Sequence, residues 1–252
     1  MIEKIFIATS TFGVHSKEPI KILEDESKDF NFNPLSRKLT SNELIKFAHD
    51  SNGIVAGTEL YTKEVIDQLP HLKVISRLGI GMDNIDQDVA KKKGIYLFKT
   101  QTTPAPAVAE LVLGFMLDLA RKINYQNNTL KSGVWKKQMG NLLHGKTLGI
   151  IGLGTIGKTL VKLVKGFNFN IRAFDLFQDK KFAKKFDVKY CDLDTLLSES
   201  DIISIHLNLT EETNQLMNAS QIRKMKQDSI LINTSRGEMI DEGALYKALK
   251  EK

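Results

Sequence analysis

The sequence has little cysteine, little proline and no long apolar run. Cys191 is the sole cysteine, so no disulfide can form within the chain, which favours a reducing compartment such as the cytoplasm. The most apolar stretch, residues 107–120, contains Glu110 and Asp118 and is too short and too charged to span a bilayer. An acidic residue at position 3 beside a short apolar run predicts a first strand rather than a signal peptide. We therefore expect a cytoplasmic protein without a membrane partner.

The charge balance by itself excludes few classes of function. The chain has 36 basic and 30 acidic residues, a net charge of +6 that permits anionic small molecules but does not indicate nucleic acid. Basic and aromatic residues do not alternate in a groove-like pattern, so nucleic-acid binding ranks last among the functions considered. Hydrophobic residues make up 42% and charged residues 26% of the chain, which excludes a disordered protein. A length of 252 residues is sufficient for two domains.

Short apolar runs alternate with helical patterns in the first part of the chain. The runs are residues 5–8, 53–57 and 73–76, and the helical patterns lie at about 41–49 and 63–69. This alternation predicts a mostly parallel sheet. Residues 99–106 are polar and contain two prolines, which predicts a connection between domains. We expect a first domain over residues 1–98 and a second domain over residues 99–252.

The second part of the chain repeats the alternation of strands and helices. A helix is predicted at about 107–124, and because it is apolar nearly all round we expect it to be buried between domains or between subunits. The sheet of this second domain starts with a strand at 147–151. Later apolar runs end at Asp175, at His206 or Leu207, and at Thr234, with a helix at 156–167.

One motif indicates a cofactor. Gly152-Leu-Gly-Thr-Ile-Gly157 has the pattern G-x-G-x-x-G between a strand and a helix. Its glycines permit a tight turn, a close approach to a pyrophosphate, and close packing of helix on strand. The helix N-terminus offers unpaired N–H groups to phosphates. Asp175 ends the next strand, where a carboxylate accepts hydrogen bonds from ribose hydroxyls and repels a 2′-phosphate, so the motif predicts NAD rather than NADP.

Four segments together resemble the D-isomer-specific 2-hydroxyacid dehydrogenases, and most closely their phosphoglycerate dehydrogenase branch. The segments are Ser76-Arg-Leu-Gly-Ile-Gly-Met-Asp-Asn-Ile-Asp86, Thr103-Pro-Ala-Pro-Ala-Val-Ala-Glu-Leu111, Gly149-Ile-Ile-Gly-Leu-Gly-Thr-Ile-Gly157 and Leu231-Ile-Asn-Thr-Ser-Arg-Gly-Glu238, followed by Asp241 and Glu242. They run in the family's order. The resemblance implies an α/β fold of two Rossmann-like domains, a flavodoxin-like substrate domain and an NAD-binding doubly wound parallel sheet, with the active site in the cleft between them. It also implies NAD-dependent interconversion of a D-2-hydroxy acid and its 2-keto acid.

The resemblance assigns roles to individual residues. Arg236 matches the family's catalytic arginine, whose planar fork suits a 2-keto acid and polarises its carbonyl. Arg77, Gly79 and Ile80 lie in the loop that would bind the substrate carboxylate, mainly through the N–H groups of Gly79 and Ile80. The positions expected to contact NAD are Gly152, Leu153, Gly154, Thr155, Ile156, Gly157, Asp175, His206, Leu207, Thr234, Ser235 and Arg236. No metal ligands are implied.

Three of these assignments have alternatives. Arg236 could instead pair with Glu238 at the surface, although a strand end faces the ligand crevice of an open sheet and favours function. Arg77 is either a surface cation or a partner for a phosphorylated substrate. His206 is expected to shape the cofactor-side wall rather than to transfer a proton.

The resemblance leaves one part of the catalytic machinery outside this sequence. The family's catalytic histidine and its glutamate partner correspond to positions past Lys252, so we expect a C-terminally incomplete chain with weak or no turnover. The competing interpretation is an NAD-responsive scaffold without turnover, similar to the corepressors of this family, which would need neither Arg236 nor the carboxylate loop. The family and the apolar helix at 107–124 both favour a homodimer formed through the second domain.

Overall fold

Two separate parallel sheets organise the chain. The computed structural model describes residues 3–26 and 29–251, and the chain divides into Met1–Thr103, here called unit 1, and Pro104–Lys252, here called unit 2. The division lies within the proline-containing connection at residues 99–106. The predicted α/β class with two parallel sheets is confirmed.

Unit 1 is built around five strands. These are β1 (Lys4–Ile7), β2 (Asp29–Phe32), β3 (Gly53–Ala56), β4 (Val74–Arg77) and β5 (Tyr96–Lys99), with helices α1 (Glu18–Glu26), α2 (Ser41–Ala48), α3 (Lys63–Asp67) and α4 (Gln87–Lys92). The strand order β2-β1-β3-β4-β5 is flavodoxin-like, so the winding reverses between β1 and β3. Phe6, Ile54 and Ile75 are register partners on one face, where they pack with buried residues of α2, α3 and α4. This core fixes the strand ends that carry the first set of site residues.

Unit 2 contains the second sheet. Its strands are β6 (Thr147–Ile151), β7 (Asn170–Phe174), β8 (Val188–Tyr190), β9 (Ile202–Ile205) and β10 (Ile230–Asn233). Its helices are α5 (Ala105–Arg121), α6 (Ile123–Lys131), α7 (Thr155–Leu163), α8 (Lys180–Phe186), α9 (Leu193–Glu199), α10 (Ala219–Lys224) and α11 (Glu242–Lys250). The order β10-β9-β6-β7-β8 is that of a Rossmann sheet, and its winding reverses between β6 and β9. Ligands of such sheets bind at the carboxyl ends of these two strands.

Side-chain caps set the starts of several helices. Thr40 and Glu43 form a reciprocal capping box at α2. Aspartates cap α4, α8 and α9, where Asp86, Asp179 and Asp192 accept backbone N–H groups of the first turn. Each cap of this type stabilises a helix by about 1 kcal/mol. These short helices therefore begin where a capping side chain stands, directly after the loops that follow the strands.

Helix α5 differs from its sequence-based expectation. It begins at Ala105 rather than near 107, and it ends at Arg121 because Lys122 adopts a left-handed conformation with φ of 55°. One face is buried and carries Ala109, Val112, Met116 and Ala120. A stripe along the side of this face exposes Leu111, Phe115 and Leu119, so the expected all-round burial is not reached within unit 2. Among the described residues, no helix has both the length and the apolar character needed to cross a bilayer.

Candidate functional site

The three glycines of the turn between β6 and α7 have different surroundings. Gly152 has a φ of +95°, and a Cβ there would lie 2.7 Å from the carbonyl oxygen of His206. A Cβ on Gly157 would lie 2.6 Å from the carbonyl oxygen of Gly152. A Cβ on Gly154 would meet no described atom within 4 Å. Gly152 and Gly157 are therefore needed for packing, whereas Gly154 faces open space in which a ligand can approach the backbone.

The N-terminus of α7 is available to an anion. Its N-cap is Gly154, which has no side chain to cap the helix. The backbone N–H groups of Thr155, Ile156 and Gly157 donate to no acceptor among the described residues. A helix N-terminus with unpaired N–H groups and a positive dipole end attracts phosphate. The turn therefore fits the pyrophosphate of a dinucleotide.

Asp175 is held rigidly beside this turn. Its Oδ2 accepts the N–H of Leu153 at 2.7 Å, and its Oδ1 accepts the N–H of Phe177 at 2.8 Å. These two bonds fix the carboxylate at the end of β7, one strand away from the phosphate-binding turn. A carboxylate in this position can accept ribose hydroxyls through its remaining lone pairs and repels a 2′-phosphate.

Two buried polar atoms lie at the ends of β9 and β10. His206 Nε2 is 3.0 Å from Ser204 Oγ, whereas His206 Nδ1 and Thr234 Oγ1 are buried without a partner in the part of the chain that the structure describes. Burial lowers the pKa of His206 to about 4, so its imidazole is neutral at physiological pH. Buried polar atoms are costly when unsatisfied. Because these atoms lie at the carboxyl ends of β9 and of its neighbour β10, a ligand such as a nicotinamide cofactor can supply the missing hydrogen bonds.

The low pKa of His206 predicts an acid-sensitive contribution to stability. An unfolded histidine binds a proton below a pH of about 6.5, whereas buried His206 stays neutral down to about pH 4. Between these values the unfolded state binds more protons. The free energy of unfolding should therefore fall by up to about 3 kcal/mol as the pH is lowered through this window.

Urea unfolding of the wild type and of His206→Gln, from neutral pH down to about 4, measures this contribution. The variant lacks the titrating imidazole, so its midpoint should fall less than that of the wild type. Parallel losses in both proteins would show that His206 is not the group responsible.

The loop after β10 is anchored by hydrogen bonds to the strand ends. Asn233 Nδ2 donates to the carbonyl of Arg236 at 2.7 Å, and Ser235 Oγ donates to the carbonyl of Ile205 at 3.0 Å. Arg236 is half-buried, and its Nη1 donates to the carbonyl of Ser235 at 3.1 Å.

In unit 1, the structure changes the expected roles of Arg77 and Gly79. Arg77 is only 8% exposed, so it is not a surface cation. Its guanidinium lies against Gly79, where a Cβ would be 2.6 Å from Nη1. The N–H of Gly79 is already used, because it donates to Thr100 Oγ1 at 3.0 Å and lies 3.0 Å from the carbonyl of Arg77. The N–H group of Ile80 has no acceptor among the described residues, which makes Ile80 the better candidate for binding an anion.

Sequence reasoning missed the polar residues behind this loop. Glu59 and Tyr61 are buried, and Asn84 donates through Nδ2 to the carbonyls of Gly57 and Glu59 at 3.1 and 2.6 Å. The available signal was the position of Glu59, three residues after the end of β3 at the switch point of a flavodoxin-like sheet. That signal depends on the strand order, which the sequence pattern does not provide.

Comparisons with known proteins agree with this geometry. A family model described as D-isomer specific 2-hydroxyacid dehydrogenase, NAD binding domain, matches residues 113–252. A hydroxypyruvate reductase of Thermotoga maritima is 41% identical over 244 residues, which cover 94% of this chain and 78% of that protein. A D-3-phosphoglycerate dehydrogenase of Methanocaldococcus jannaschii is 40% identical over 240 residues, which cover 93% of this chain and 45% of that protein. This chain thus spans less than half the length of the archaeal relative.

A solved structure is also similar. The D-lactate dehydrogenase from Aquifex aeolicus, in complex with NAD and lactic acid, matches with a TM-score of 0.82 and 28% identity. The match covers 99% of this chain and 74% of that one.

Proposed function

This chain belongs to the D-isomer specific 2-hydroxyacid dehydrogenase family, and from this premise we propose that it acts in the NAD-dependent interconversion of a D-2-hydroxy acid and its 2-keto acid. The observation that carries the proposal is the turn at Gly154. This turn leaves the N-terminus of α7 accessible to an anion, next to the carboxylate of Asp175, which a hydrogen bond from Leu153 holds in place. A bound nicotinamide would supply the hydride for this chemistry.

The proposed cofactor contacts lie in unit 2. The turn at residues 152–157 would bind the pyrophosphate, and Asp175 would bind the adenosine ribose. His206 would shape the wall of the nicotinamide pocket as a neutral group, because its pKa of about 4 makes it a poor proton carrier near neutral pH. Leu207 and residues 234–236 would complete the nicotinamide side.

Each unit has a proposed role toward the substrate. We assign residues 1–98 to substrate binding and residues 99–252 to cofactor binding. In unit 1 the N–H of Ile80 would bind the substrate carboxylate. In unit 2 Arg236 would bind the keto oxygen and stabilise the negative charge that develops there.

The buried position of Arg77 bears on the choice of substrate. The sequence resembles the phosphoglycerate dehydrogenase branch most closely, and in a loop of that type Arg77 would suit a phosphorylated substrate. Arg77 is instead only 8% exposed, and its guanidinium is packed against Gly79. We therefore favour a small unphosphorylated 2-keto acid such as hydroxypyruvate, with 3-phosphohydroxypyruvate as the competing candidate.

Fluorescence titration tests this proposal in two steps. NADH is added first, and hydroxypyruvate or 3-phosphohydroxypyruvate is then titrated into the NADH complex while NADH oxidation is followed by absorbance. We expect NADH to bind and hydroxypyruvate to bind about 10-fold more tightly than its phosphorylated form, a difference of about 1.4 kcal/mol. Failure to bind NADH would overturn the proposal. NADH binding without keto-acid binding would favour the scaffold interpretation, and tighter binding of the phosphorylated acid would restore the phosphoglycerate-type substrate.

The exposed face of α5 would bind a second copy of the chain. Leu111, Phe115 and Leu119 are spaced four residues apart and are 51%, 42% and 53% exposed, so they form one apolar stripe along the helix. Trp135, in the segment after α6, is also exposed, at 86%. Exposed apolar patches of this kind mark protein interfaces. The stripe supports a homodimer formed through the NAD-binding unit.

Phe115→Asp is expected to convert the dimer to a monomer without unfolding it, because the Phe115 side chain contributes little to the core of unit 2. Analytical ultracentrifugation at micromolar concentration measures the change. Leu249→Asp, at an exposed apolar position on α11, is the matched control and should leave the mass unchanged. A wild type that is monomeric at this concentration would contradict the prediction.

We also propose a cytoplasmic location, which the use of a single cysteine in the sequence supports.

A further inference from the structure

We infer that Glu59 and Arg77 are positioning residues, whose buried charges hold the loop at residues 78–84 in the shape that presents its backbone N–H groups to a substrate carboxylate. The inference rests on the proposed function, since it concerns the loop that would bind the 2-keto acid. It assigns Arg77 an action through Gly79 rather than a contact with substrate.

Glu59 supports the turn after β3. Its side chain is 2% exposed, and its Oε2 accepts the N–H of Gly57 at 2.8 Å. A Cβ on Gly57 would lie 2.9 Å from Oε2 and 2.8 Å from Thr9 Cβ. The carboxylate therefore fills the space directly behind the backbone of this turn.

Arg77 supports the turn after the neighbouring strand in the same way. It is paired in register with Ala56 of β3, so the two turns start side by side. The guanidinium donates to the carbonyl of Leu78 and lies behind Gly79, whose φ of +145° only glycine adopts readily. The buried carboxylate of Glu59 thus lies behind the first turn, and the buried guanidinium of Arg77, with the opposite charge, lies behind the second.

Hydrogen bonds connect the turn after β3 with the loop after β4. Asn84 donates from its side chain to the carbonyls of Gly57 and Glu59. The N–H of Tyr61 donates to the carbonyl of Asn84 at 2.8 Å, and the N–H of Asp86 donates to the carbonyl of Tyr61 at 2.9 Å. A displacement of one turn is therefore transmitted to the other.

The buried phenol of Tyr61 shows that the two charges share one environment. Burial raises its pKa well above the ordinary value, the Glu59 carboxylate raises it further, and the Arg77 guanidinium lowers it. Both charges therefore act on the same hydroxyl group. In a buried environment, removal of one charge leaves the other uncompensated, which is more disruptive than removal of an exposed charge.

The part of this loop that can meet a ligand lies beyond Gly79. The N–H of Gly79 is used by Thr100, whereas those of Ile80 and Gly81 have no acceptor among the described residues. Their directions depend on the conformation of Gly79, against which the guanidinium is packed. Because small misplacements at such a site weaken binding strongly, the support behind Gly79 controls substrate affinity.

Three variants of the full chain test this inference. Glu59→Gln keeps an acceptor for Gly57 and removes the charge. Arg77→Lys keeps the charge and removes the planar group behind Gly79. Ile75→Val shortens a fully buried side chain of β4 and serves as the control for a loss of stability without a loss of charge.

Two readouts are measured on each variant. Hydrogen–deuterium exchange of the amides at residues 78–84 is followed without ligand, and the Kd for hydroxypyruvate is measured in the NADH complex. For Glu59→Gln and for Arg77→Lys we expect exchange in this loop to accelerate and the Kd to rise, each about 10-fold. The Kd for NADH should stay within about twofold, since its proposed contacts lie in unit 2. Ile75→Val should change neither loop exchange nor hydroxypyruvate affinity beyond about twofold.

Three outcomes would overturn the inference: unchanged loop exchange in both charge variants, unchanged hydroxypyruvate affinity despite a loosened loop, or equal effects in Ile75→Val. If the wild type binds NADH but not hydroxypyruvate, the proposed substrate class is wrong. In that case hydrogen–deuterium exchange alone tests the positioning role. Faster exchange at residues 78–84 in the two charge variants than in Ile75→Val supports that role, and equal exchange contradicts it.

Discussion

Gly154→Ala is expected to fold as stably as the wild type and to bind NADH about 100-fold more weakly, because a methyl group forced against a ligand costs about 1–3 kcal/mol. The backbone at Gly154 has φ of −75° and ψ of −155°, an extended conformation that alanine also adopts. The added Cβ meets no described atom within 4 Å. The methyl group would stand where the pyrophosphate approaches, so its effect should fall on binding alone.

Gly157→Ala is the matched variant in the same motif. Here the Cβ would lie 2.6 Å from the carbonyl oxygen of Gly152 and 3.1 Å from Ile150 Cγ2. The strand and helix must move apart, so we expect a loss of about 1–3 kcal/mol in the free energy of unfolding. Thermal melts and NADH titrations on the same preparations separate the two effects. If Gly154→Ala binds NADH like the wild type, the open space at Gly154 is not the cofactor site.

The position of the proposed cofactor-binding residues in the fold could be predicted because their signal is local. The turn at residues 152–157 and the acid at position 175 lie in consecutive elements, and their spacing alone brings them together. The structure adds the bond from Leu153 N–H to Asp175 Oδ2, which joins the turn to the next strand. Sequence alone did not reveal this bond, although it placed both groups correctly at the ends of neighbouring strands.

The substrate half could not be predicted to the same depth because it depends on long-range pairing. Glu59 and Asn84 are 25 residues apart and meet because β3 and β4 are neighbours in the sheet. The sequence identified the segment around Arg77 but not the direction of its side chain, which decides between a surface cation, a phosphate ligand and a support for Gly79. Side-chain direction follows from packing in the folded unit, and a motif contains no information about it.

Arg236→Lys is expected to weaken binding of hydroxypyruvate to the NADH complex by about 100-fold, the largest effect on substrate that we expect from a single side chain. Lysine keeps the positive charge but loses the planar guanidinium, whose fixed N–H donors would hold the keto oxygen in place. The backbone at this position should not move, because it is held by the bond from Asn233 Nδ2 to the Arg236 carbonyl, which any residue can accept. The free energy of unfolding should therefore change by less than about 1 kcal/mol.

The comparison with Arg223→Lys tests whether the fork or the charge matters. Arg223 is exposed in the last turn of α10, so the same substitution there keeps the charge and should alter neither affinity. NADH affinity in Arg236→Lys should fall only a few fold, since the pyrophosphate and ribose contacts are intact. If hydroxypyruvate affinity is unchanged in Arg236→Lys, a positive charge alone is sufficient at this position. If both affinities fall together by about 100-fold, Arg236 is chiefly part of the cofactor site, and the group that recognises the keto acid must lie elsewhere.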